Sequence, residues 1–495
     1  MTKKNDNGSE ESNVLREDRI EKLNQLREKG VNPFPHSYDR THELGEIKDR
    51  YAGELESGEE TGETVRVAGR IVGFRDMGKA SFFDLKDGTG ELQGYTNVDL
   101  LGEEDYETLK GLDRGDFAGL EGVVFVTNRG ELSVKVSGFQ LLSKSLRPLP
   151  EKWHGLKDVE KRYRQRYLDL IANDEVRETF VARSKLISAL RKRLDDRDFL
   201  EVETPLMQPA AGGATAEPFV TYHNALNQDL YLRIAPELYL KRLVIGGMEK
   251  VYELGKNFRN EGVSTEHNPE FTTVEIYEAY ADYEDAMELT EEMISGAAEE
   301  AIGTVRPELE EGELDLSPPW NRVSMVSAVE EEAGINDLTG TEAEELEEFA
   351  RSQGIDLPED IEEPSWGELV EALFEEFVED DLYQPTFVTD FPTDISPLAK
   401  TKRDGERSLT ERFEVFIAGI ETGNAFTELN DPLEQRERFG NGDGEEKDQE
   451  FLQALEYGMP PTAGIGIGLD RLLMAITGAD SIREVILFPA LRRKE

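Results

Sequence analysis

KNFRNEGVSTEHNPEFTTVEIYEAY, residues 256–280, is the stretch that most directly predicts the fold. It reads as two extended segments with a short loop between them. Because residues two apart share a face of a strand, Arg259 and Glu261 point to the same side. On the second segment the same rule groups a ring, a hydroxyl, a carboxylate and a phenol, carried by Phe271, Thr273, Glu275 and Tyr277. The stretch therefore predicts a pair of strands with one chemically equipped face.

The residue types on this face suit a nucleotide. A guanidinium grips phosphate with two hydrogen bonds, a phenyl ring stacks on a base, and a carboxylate accepts from an exocyclic amine. The alternative is a surface ladder of ion pairs between the two strands. The spacing alone leaves both interpretations open.

A second motif, GIGIGLDRLLMAITG, covers residues 464–478. It predicts a glycine-rich strand that enters a helix, with Asp470 and Arg471 in the first turn. The glycines would permit a close approach of backbone to ligand. The motif is neither GxGxxG nor a Walker loop, so a dinucleotide site is weakly supported. The alternative is that the glycines only let a helix pack on the sheet.

A third motif, RFEVFIAGIETGNAFTELND, covers residues 412–431. Carboxylates are the ligands that Mg²⁺ prefers, and it bridges them to phosphate. A flat strand would place Glu414 and Glu421 on opposite faces, so they reach one ion only if the chain bends or bulges, most simply at Gly419. Exposed acids in an acidic protein are the alternative. Further along, three residues share parity and predict one pocket wall: Asn424, Phe426 and Glu428.

The region before these motifs alternates with a period of two from Thr64 onward. Three strand-like runs, a helical run and two more strand-like runs follow in the order of an OB barrel, which binds oligonucleotides. Other small barrels would look similar. The basic residues that follow, between 144 and 166, are either a solvated linker or a phosphate-binding surface. They are Lys144, Arg147, Lys152, Lys157, Lys161, Arg162, Arg164 and Arg166.

The predicted fold class is α+β, since strands and helices mix without regular βαβ alternation. We expect an N-terminal helical extension, an OB domain, a linker and a catalytic domain on an antiparallel sheet, the last including an acidic helical insertion. Their predicted ranges are 1–63, 64–147, 148–175 and 176–495, with the insertion at about 284–385.

The composition excludes several classes of protein. The 495 residues include 106 Asp and Glu against 56 Lys and Arg, a formal charge of −50, so bulk positive charge does not hold nucleic acid. Cys is absent, which excludes disulfides, thiol catalysis and Cys-ligated zinc. No stretch resembles a signal or a membrane span, so we expect a cytoplasmic protein without a membrane partner. The acidity suits a salt-filled cytoplasm, which indicates a halophile; an ordinary acidic bacterial protein is the alternative.

Taken together and in order, FLEVETPLM (199–207), the FRNE…EIYEAY block and GIGIGLDRLL resemble the three motifs of class II aminoacyl-tRNA synthetases. The resemblance is narrower to the bacterial-type lysyl-tRNA synthetases of subclass IIb, and it extends from about residue 14 to Arg492. It implies a five-stranded OB barrel that binds the anticodon and a six-stranded antiparallel catalytic sheet with flanking helices. It also implies a homodimer built around motif 1, which contains Pro205.

The resemblance also implies roles for individual residues. Arg259 and Arg471 would be catalytic. ATP would be bound by Arg259, Glu261, His267, Phe271 and Arg471, and lysine by Glu237, Arg259, Glu275, Tyr277, Asn424, Phe426 and Glu428. Glu414 and Glu421 would bind Mg²⁺, with up to three ions per subunit expected from the family. The anticodon would be read by Arg75, Phe82, Gln93 and Glu131.

The implied reaction is activation of L-lysine with ATP, giving lysyl-adenylate and pyrophosphate, followed by transfer to the 3′-OH of tRNA(Lys). A buried lysine ammonium needs carboxylates in place of water, which Glu237 and Glu428 would supply. Two alternatives are a lysyl ligase that modifies a protein and a non-catalytic synthetase-like nucleic-acid binder. The barrel pattern argues against the first, and the intact ATP motifs argue against the second.

Overall fold

The structure is a computed structural model that describes residues 6–150, 156–210, 212–213, 216–355, 363–403, 409–439 and 449–493. Lys152 of the basic stretch lies outside these residues. The chain divides into two compact units, Met1–Lys157 and Asp158–Glu495. The first unit contains α1 (Asp6–Glu28), α2 (Leu44–Tyr51), β1 (Glu60–Asp76), β2 (Ala80–Lys86), β3 (Glu91–Asn97), α3 (Val98–Leu101), α4 (Glu103–Lys110), β4 (Phe117–Val126) and β5 (Leu132–Ser143).

The five strands of the first unit close into a barrel with the order β1-β2-β3-β5-β4, which confirms the OB prediction. Side chains along β2 and β3 alternate strictly between buried and half-buried. Phe83 and Leu85 therefore point into the barrel core, whereas Phe82 faces outward. β1 begins at Glu60, before the predicted start at residue 64.

Two buried cations fix parts of the first unit: Arg19 ties α1 to the barrel, and Lys144 joins segments within the barrel. Arg19 donates to the backbone carbonyls of Arg114 and Arg147. Lys144 is buried and pairs with Asp113 at 2.5 Å and with Asp116 at 2.9 Å. Lys144 is thus committed to an internal ion pair, so neither the linker nor the phosphate-binding interpretation of the basic stretch holds for this residue.

The second unit holds the remaining elements. They are α5 (Val159–Arg164), α6 (Arg166–Ala172), α7 (Asp174–Asp195), β6 (Leu200–Glu201), β7 (Met207–Gln208), β8 (Val220–His223), β9 (Gln228–Leu232), α8 (Glu237–Ile245), β10 (Lys250–Phe258), β11 (Glu270–Ala279), α9 (Tyr283–Ile302), β12 (Glu308–Leu309), β13 (Gly312–Glu313), β14 (Asn321–Ser324), α10 (Met325–Ala333), α11 (Ala343–Gln353), α12 (Trp366–Phe377), a 3₁₀ turn (Glu379–Asp381), β15 (Thr386–Thr389), β16 (Arg412–Ile417), β17 (Ile420–Thr427), α13 (Pro432–Phe439), α14 (Gln449–Leu455), β18 (Thr462–Gly468), α15 (Leu469–Thr477) and α16 (Ile482–Val485).

The main sheet has eight strands in the order β14-β15-β16-β17-β18-β11-β10-β6. The inner six, from β15 to β10, pair antiparallel, as predicted. The two outermost strands lie outside the six predicted ones, and both pair parallel to their neighbours. β6 falls within FLEVETPLM, which reads as strand-like in the sequence, but it is only two residues long. β14 was missed, because four residues are too short for a period of two to identify a strand.

The region predicted as an acidic insertion contributes to two cores. α9 buries Met287, Met293 and Ile294 in the main core, so it belongs to the catalytic domain itself. A separate cluster joins α10, α11 and α12, and it includes the apolar face of α12 that the sequence assigned to packing. The predicted linker, 148–175, likewise contains α5 and α6, where Arg166 is buried and pairs with Asp169 at 2.7 Å. No helix in the described part of the chain is long and apolar enough to cross a membrane.

Candidate active site

Glycines on one face of β18, near the centre of the main sheet, leave room for a cavity. In β18, isoleucines alternate with glycines, so Ile465 and Ile467 enter the main core while Gly464, Gly466 and Gly468 face the other way. That glycine face borders a cavity of about 720 Å³. A Cβ added at Gly464 would overlap the carboxylate of Glu428. The alternation thus packs isoleucines into the core on one face and leaves the other face open to the cavity, while a ligand on the glycine face stays a prediction.

Cross-strand register places the equipped side chains in rows beside these glycines. Glu414 lies opposite Asn424, Asn424 opposite Gly466, and Gly466 opposite Glu275. In the adjacent row Phe426 and Tyr277 lie on either side of Gly464. Strands far apart in sequence therefore supply one continuous surface, which the parity of each motif predicted in part.

Twelve of the thirteen residues predicted for ATP, lysine and metal line this cavity. The exception is Glu428, which is fully buried behind the wall, against Gly464 and Tyr277. The structure thus brings the set together, while the ligand of each residue stays a prediction. The twelve are Glu237, Arg259, Glu261, His267, Phe271, Glu275, Tyr277, Glu414, Glu421, Asn424, Phe426 and Arg471.

Arg259 follows β10 directly and is held in place by its backbone, whose N–H donates to the carbonyl of Pro269 at 3.0 Å. Its guanidinium lies over the ring of Phe271, 5.2 Å from the centroid. The buried Nε of Arg259 has no hydrogen-bond partner among the described residues. A buried donor left unpaired costs free energy, so this group is suited to an anionic ligand.

Arg471, at the start of α15, is surrounded by other predicted site residues. It donates to the carboxylate of Glu421 at 2.8 Å and lies 3.0 Å from Nε2 of His267. Glu261 lies exposed in the loop after β10 and borders the same cavity. A cation held between a carboxylate and an imidazole at a cavity edge is placed to meet phosphate.

Glu414 and Glu421 come together through a hairpin rather than a bend in one strand. The chain reverses between β16 and β17 at Ala418 and Gly419, whose φ values of 53° and 72° suit a tight hairpin turn. A register shift after Val415 then leaves Thr422 unpaired in β17. The predicted irregularity at Gly419 is thus a full turn, and a bulge beside it corrects the parity.

The two carboxylates fit a divalent cation. Burial, and next the charge of Glu421, raise the pKa of Glu414 to about 8, although Arg412 pairs with Glu414 at 2.6 Å. A buried carboxylate beside a like charge is stabilised by a cation. No group of three or more His, Cys, Asp or Glu residues that would hold a metal occurs in the described ranges. Two protein carboxylates with the remaining positions left to phosphate and water are typical of Mg²⁺.

A second group of carboxylates lies at the other end of the cavity. Glu237 begins α8, Glu275 lies in β11, and Glu428 directly follows β17. Burial first, and Glu237 second, raise the pKa of Glu275 to about 8. Burial also raises the pKa of the Tyr277 hydroxyl, which lies 3.4 Å from Glu275. This end of the cavity therefore holds more negative charge than its surroundings neutralise.

Lys241 is a residue of this group that the sequence motifs did not identify. Its side chain is fully buried, its Nζ lies 2.6 Å from Glu237, and it also pairs with Glu428. Burial alone would lower the pKa of Lys241, but the two carboxylates outweigh burial and raise it. The available signal was its position four residues after Glu237 on one helix face. That spacing is common on solvated helices, so it did not single the residue out.

In the barrel, the predicted anticodon residues partly share one outer face. Arg75 lies opposite Phe82 and Phe82 opposite Tyr95. Gln93 accepts from the hydroxyl of Ser133 at 3.1 Å, while Glu131 is exposed just before β5. Two aromatic residues that the sequence motifs missed extend the face. The ring centroid of Tyr95 lies 5.0 Å from that of Phe82 and 5.9 Å from that of Phe125.

The family comparison agrees with this architecture. Residues 158–492 match the model of the class II tRNA synthetases (D, K and N), and residues 65–142 match the OB-fold nucleic acid binding domain of the anticodon-binding type. The chain belongs to the class II tRNA synthetases.

Within that class, three relatives carry the name lysine--tRNA ligase. A protein of Pelotomaculum thermopropionicum named lysine--tRNA ligase is 52% identical over 98% of this chain and 96% of its own length. The lysine--tRNA ligase of Bacillus cereus is 52% identical over 96% of this chain and 97% of its own length. That of Clostridium novyi is 51% identical over 97% and 95%. These relatives align from end to end, so they match both units.

Proposed function

We propose that this chain is an ATP-dependent lysine--tRNA ligase. It would activate L-lysine to lysyl-adenylate, releasing pyrophosphate, and then transfer lysine to the 3′-OH of tRNA(Lys). The observation that carries the proposal is a cavity lined by the guanidinium of Arg259 and by two buried carboxylates, Glu237 and Glu275, with a third, Glu428, buried behind the wall. An aspartate or asparagine pocket would need a cation or an amide there instead.

Lysine would enter with its carboxylate toward Arg259 and its ammonium groups toward the carboxylates. Glu275 lies nearer the row of Asn424 and Gly466, which suits the α-amino group, while Glu428 and Tyr277 suit the side-chain ammonium. Phe426 would line the aliphatic part of the chain. A desolvated ammonium is tolerated only where acceptors replace its water, and this pocket supplies them.

ATP would occupy the remaining part of the cavity. Phe271 would stack under the adenine, Arg471 would lie above it near the γ-phosphate, and Glu261 and His267 would contact the nucleotide. Glu414 and Glu421 would hold Mg²⁺, which neutralises charge on the phosphates when bound.

The first step needs no protein nucleophile or general base. The lysine carboxylate oxygen attacks the α-phosphorus, the bond to the bridging oxygen breaks, and pyrophosphate leaves. Arg259 would hold the attacking carboxylate and the α-phosphate in line, and it would stabilise charge on the equatorial oxygens. Arg471, released from Glu421, would do the same at the pyrophosphate end.

The barrel would supply tRNA selection. Phe82 and its aromatic neighbours offer stacking surfaces for unpaired bases, and Arg75, Gln93 and Glu131 offer hydrogen bonds. We also propose a homodimer through motif 1, because the segment that contains Pro205 carries apolar side chains that are about half exposed, Leu200, Leu206 and Met207. The charge of −50 supports an origin in a salt-rich cytoplasm.

Lysine-dependent ATP–pyrophosphate exchange without tRNA tests the proposal. The assay is run in dilute and in molar KCl, with aspartate and asparagine as controls. We expect exchange with lysine only, and a salt optimum near molar KCl if the halophile assignment holds. Absence of exchange with all three amino acids, from folded protein at both salt concentrations, would leave the cavity as a binding scaffold and overturn the proposed activity.

A further inference from the structure

The buried ammonium of Lys241 takes no part in the reaction described above. Its Nζ lies between Glu237 on its own helix and Glu428 after β17. It also lies 5.4 Å from the ring centroid of Phe426 and 5.7 Å from that of Phe451. The side chain has no exposure to solvent. Lys241 is thus fixed behind the pocket wall, against Glu237 and Phe426, which line it.

The two oxygens of Glu428 differ in their surroundings. Oε2 pairs with Lys241. Neither oxygen has a hydrogen-bond partner of good geometry in the part of the chain that the structure describes, and Oε1 fills the space above Gly464 on the cavity face of β18. A buried carboxylate oxygen without a donor is costly unless a ligand supplies one. Lys241 therefore fixes one oxygen and leaves the other for a ligand.

The charges at this end of the cavity can be counted. Glu237, Glu275 and Glu428 carry three carboxylates, and Lys241 supplies one ammonium. The other nearby cations have partners of their own: Arg233 pairs with Glu253, and Arg412 with Glu414. Arg259 lies over Phe271, and its charge favours the ionised form of Glu275, but in the proposed complex it is matched by the carboxylate of the amino acid. When all three carboxylates are ionised, as they would be with the amino acid bound, two negative charges are left over, and a diamino acid brings two ammonium groups.

We propose that Lys241 is a positioning residue that sets the charge of the amino-acid pocket, so that the pocket selects an amino acid with two ammonium groups. It holds Glu237 and Glu428 in place and cancels one of the three carboxylates. The inference rests on the proposed function, since it concerns how the same pocket reads lysine.

The test is lysine-dependent exchange by three forms of the full chain, wild type, Lys241→Met and Lys241→Ala. Met keeps the length of the side chain without its charge. We expect the KM for lysine to rise about 100-fold in both variants, with the KM for ATP changed less than about twofold. Lys144→Met is the matched control, because Lys144 is equally buried between two carboxylates, in the other unit. Its KM for lysine stays at the wild-type value.

Chemical rescue separates charge from packing. Propylammonium added to Lys241→Ala fills the vacated space and lowers the KM for lysine at least about tenfold, whereas 1-propanol does not. In the wild type the same amine competes with lysine and raises its KM.

Four results overturn the inference while wild-type exchange persists. They are an unchanged KM for lysine in Lys241→Met, equal losses in kcat and both KM values, equal rescue by propanol, and absence of rescue by propylammonium from a folded Lys241→Ala. Circular dichroism establishes whether each variant is folded. If Lys241→Ala does not fold, the kinetics of Lys241→Met decide the test. Absence of lysine-dependent exchange in the wild type is a different outcome, which overturns the proposed function itself.

Discussion

The outer face of the barrel and the cavity of the catalytic unit carry different kinds of side chain. On the barrel, Phe82, Tyr95 and Phe125 form an aromatic strip that is half-buried, with Arg75 exposed and bonded to Asp84 at 3.2 Å. In the cavity, Glu237 and Glu275 are buried and Glu414 is half-buried, and burial raises the pKa of Glu275 and of Glu414 to about 8. The barrel face suits neutral, stackable bases, and the cavity suits small charged ligands. We therefore expect substitutions in the cavity to impair amino-acid activation, and substitutions on the barrel face to impair tRNA recognition.

The largest effect is expected for Arg259→Ala. Arg259 is a preorganised cation at the place where negative charge develops in the transition state. Its loss should raise the activation free energy by roughly 4 kcal/mol, so kcat/KM for pyrophosphate exchange should fall about a thousandfold. The melting temperature should stay close to wild type. Arg306→Ala, which removes an exposed partner of Asp315, is the control and should exchange normally. Near-normal exchange by Arg259→Ala would remove that residue from the catalytic role.

The next effect separates the two faces of one strand. Glu275→Gln should raise the KM for lysine about 100-fold, because a buried carboxylate facing the ligand is lost, while the KM for ATP changes little. Glu278→Gln is the matched control, since Glu278 lies on the opposite face of β11 and pairs with Lys250 at 2.7 Å. Equal losses in the two variants would show that the effect arises from the strand and not from the pocket.

A smaller effect is expected on the barrel. Phe82→Ala should raise the KM for tRNA(Lys) about tenfold in aminoacylation, as a lost stacking contact predicts, and leave pyrophosphate exchange without tRNA unchanged. Phe82→Tyr keeps the ring and should retain wild-type kinetics. A loss of exchange in Phe82→Ala would contradict the separation of the two units by reaction step.

Strand parity predicted the barrel pattern and part of the cavity, whereas the six-stranded sheet and residues on helices and loops, such as Glu237, His267 and Arg471, came from the resemblance to the family. Spacing alone was enough to group Phe271, Glu275 and Tyr277 on one face. Strand parity could not predict contacts between residues on different secondary-structure elements. Glu414 and Glu421 needed a turn and a bulge to meet, and Lys241 meets Glu428 only through the tertiary fold. Tyr95, in contrast, shares the parity of Gln93 and could have been found.

The raised pKa of Glu275 predicts a pH dependence of the cavity that the barrel lacks. With its pKa near 8, Glu275 is protonated in the empty pocket at neutral pH and must lose a proton when lysine binds. The KM for lysine should therefore fall by about tenfold as the pH rises from 6.5 to 8, and then level. Titration calorimetry in buffers of different ionisation enthalpy would detect the released proton, which Glu275→Gln should abolish.

The same shift links pH to stability. A carboxylate whose pKa rises from 4.5 to about 8 on folding stabilises the folded state below pH 4.5. That contribution is lost as the pH rises toward 8. The urea midpoint of the wild type should therefore fall with pH over this range by more than that of Glu275→Gln. If the urea midpoints of the two proteins changed equally with pH, Glu275 would be in contact with solvent.

The smallest expected effect concerns salt and tRNA. Because the chain carries a charge of −50 and the barrel face is mainly aromatic, few counterions should be released on binding. The affinity for tRNA(Lys), measured by filter binding between low and molar KCl, should decline only slightly. A steep loss would show that phosphate contacts dominate and that stacking on the barrel is secondary.

The most direct test of the central claim, recognition of lysine as a dication, is to compare lysine with 6-hydroxynorleucine, which has a hydroxyl in place of the side-chain ammonium. The inhibition constant of this analogue in lysine-dependent exchange is measured against the dissociation constant of lysine. An excess of two negative charges in the pocket predicts that the analogue binds at least about 100-fold more weakly. Comparable binding of the two would contradict the charge balance of Glu237, Glu275, Glu428 and Lys241.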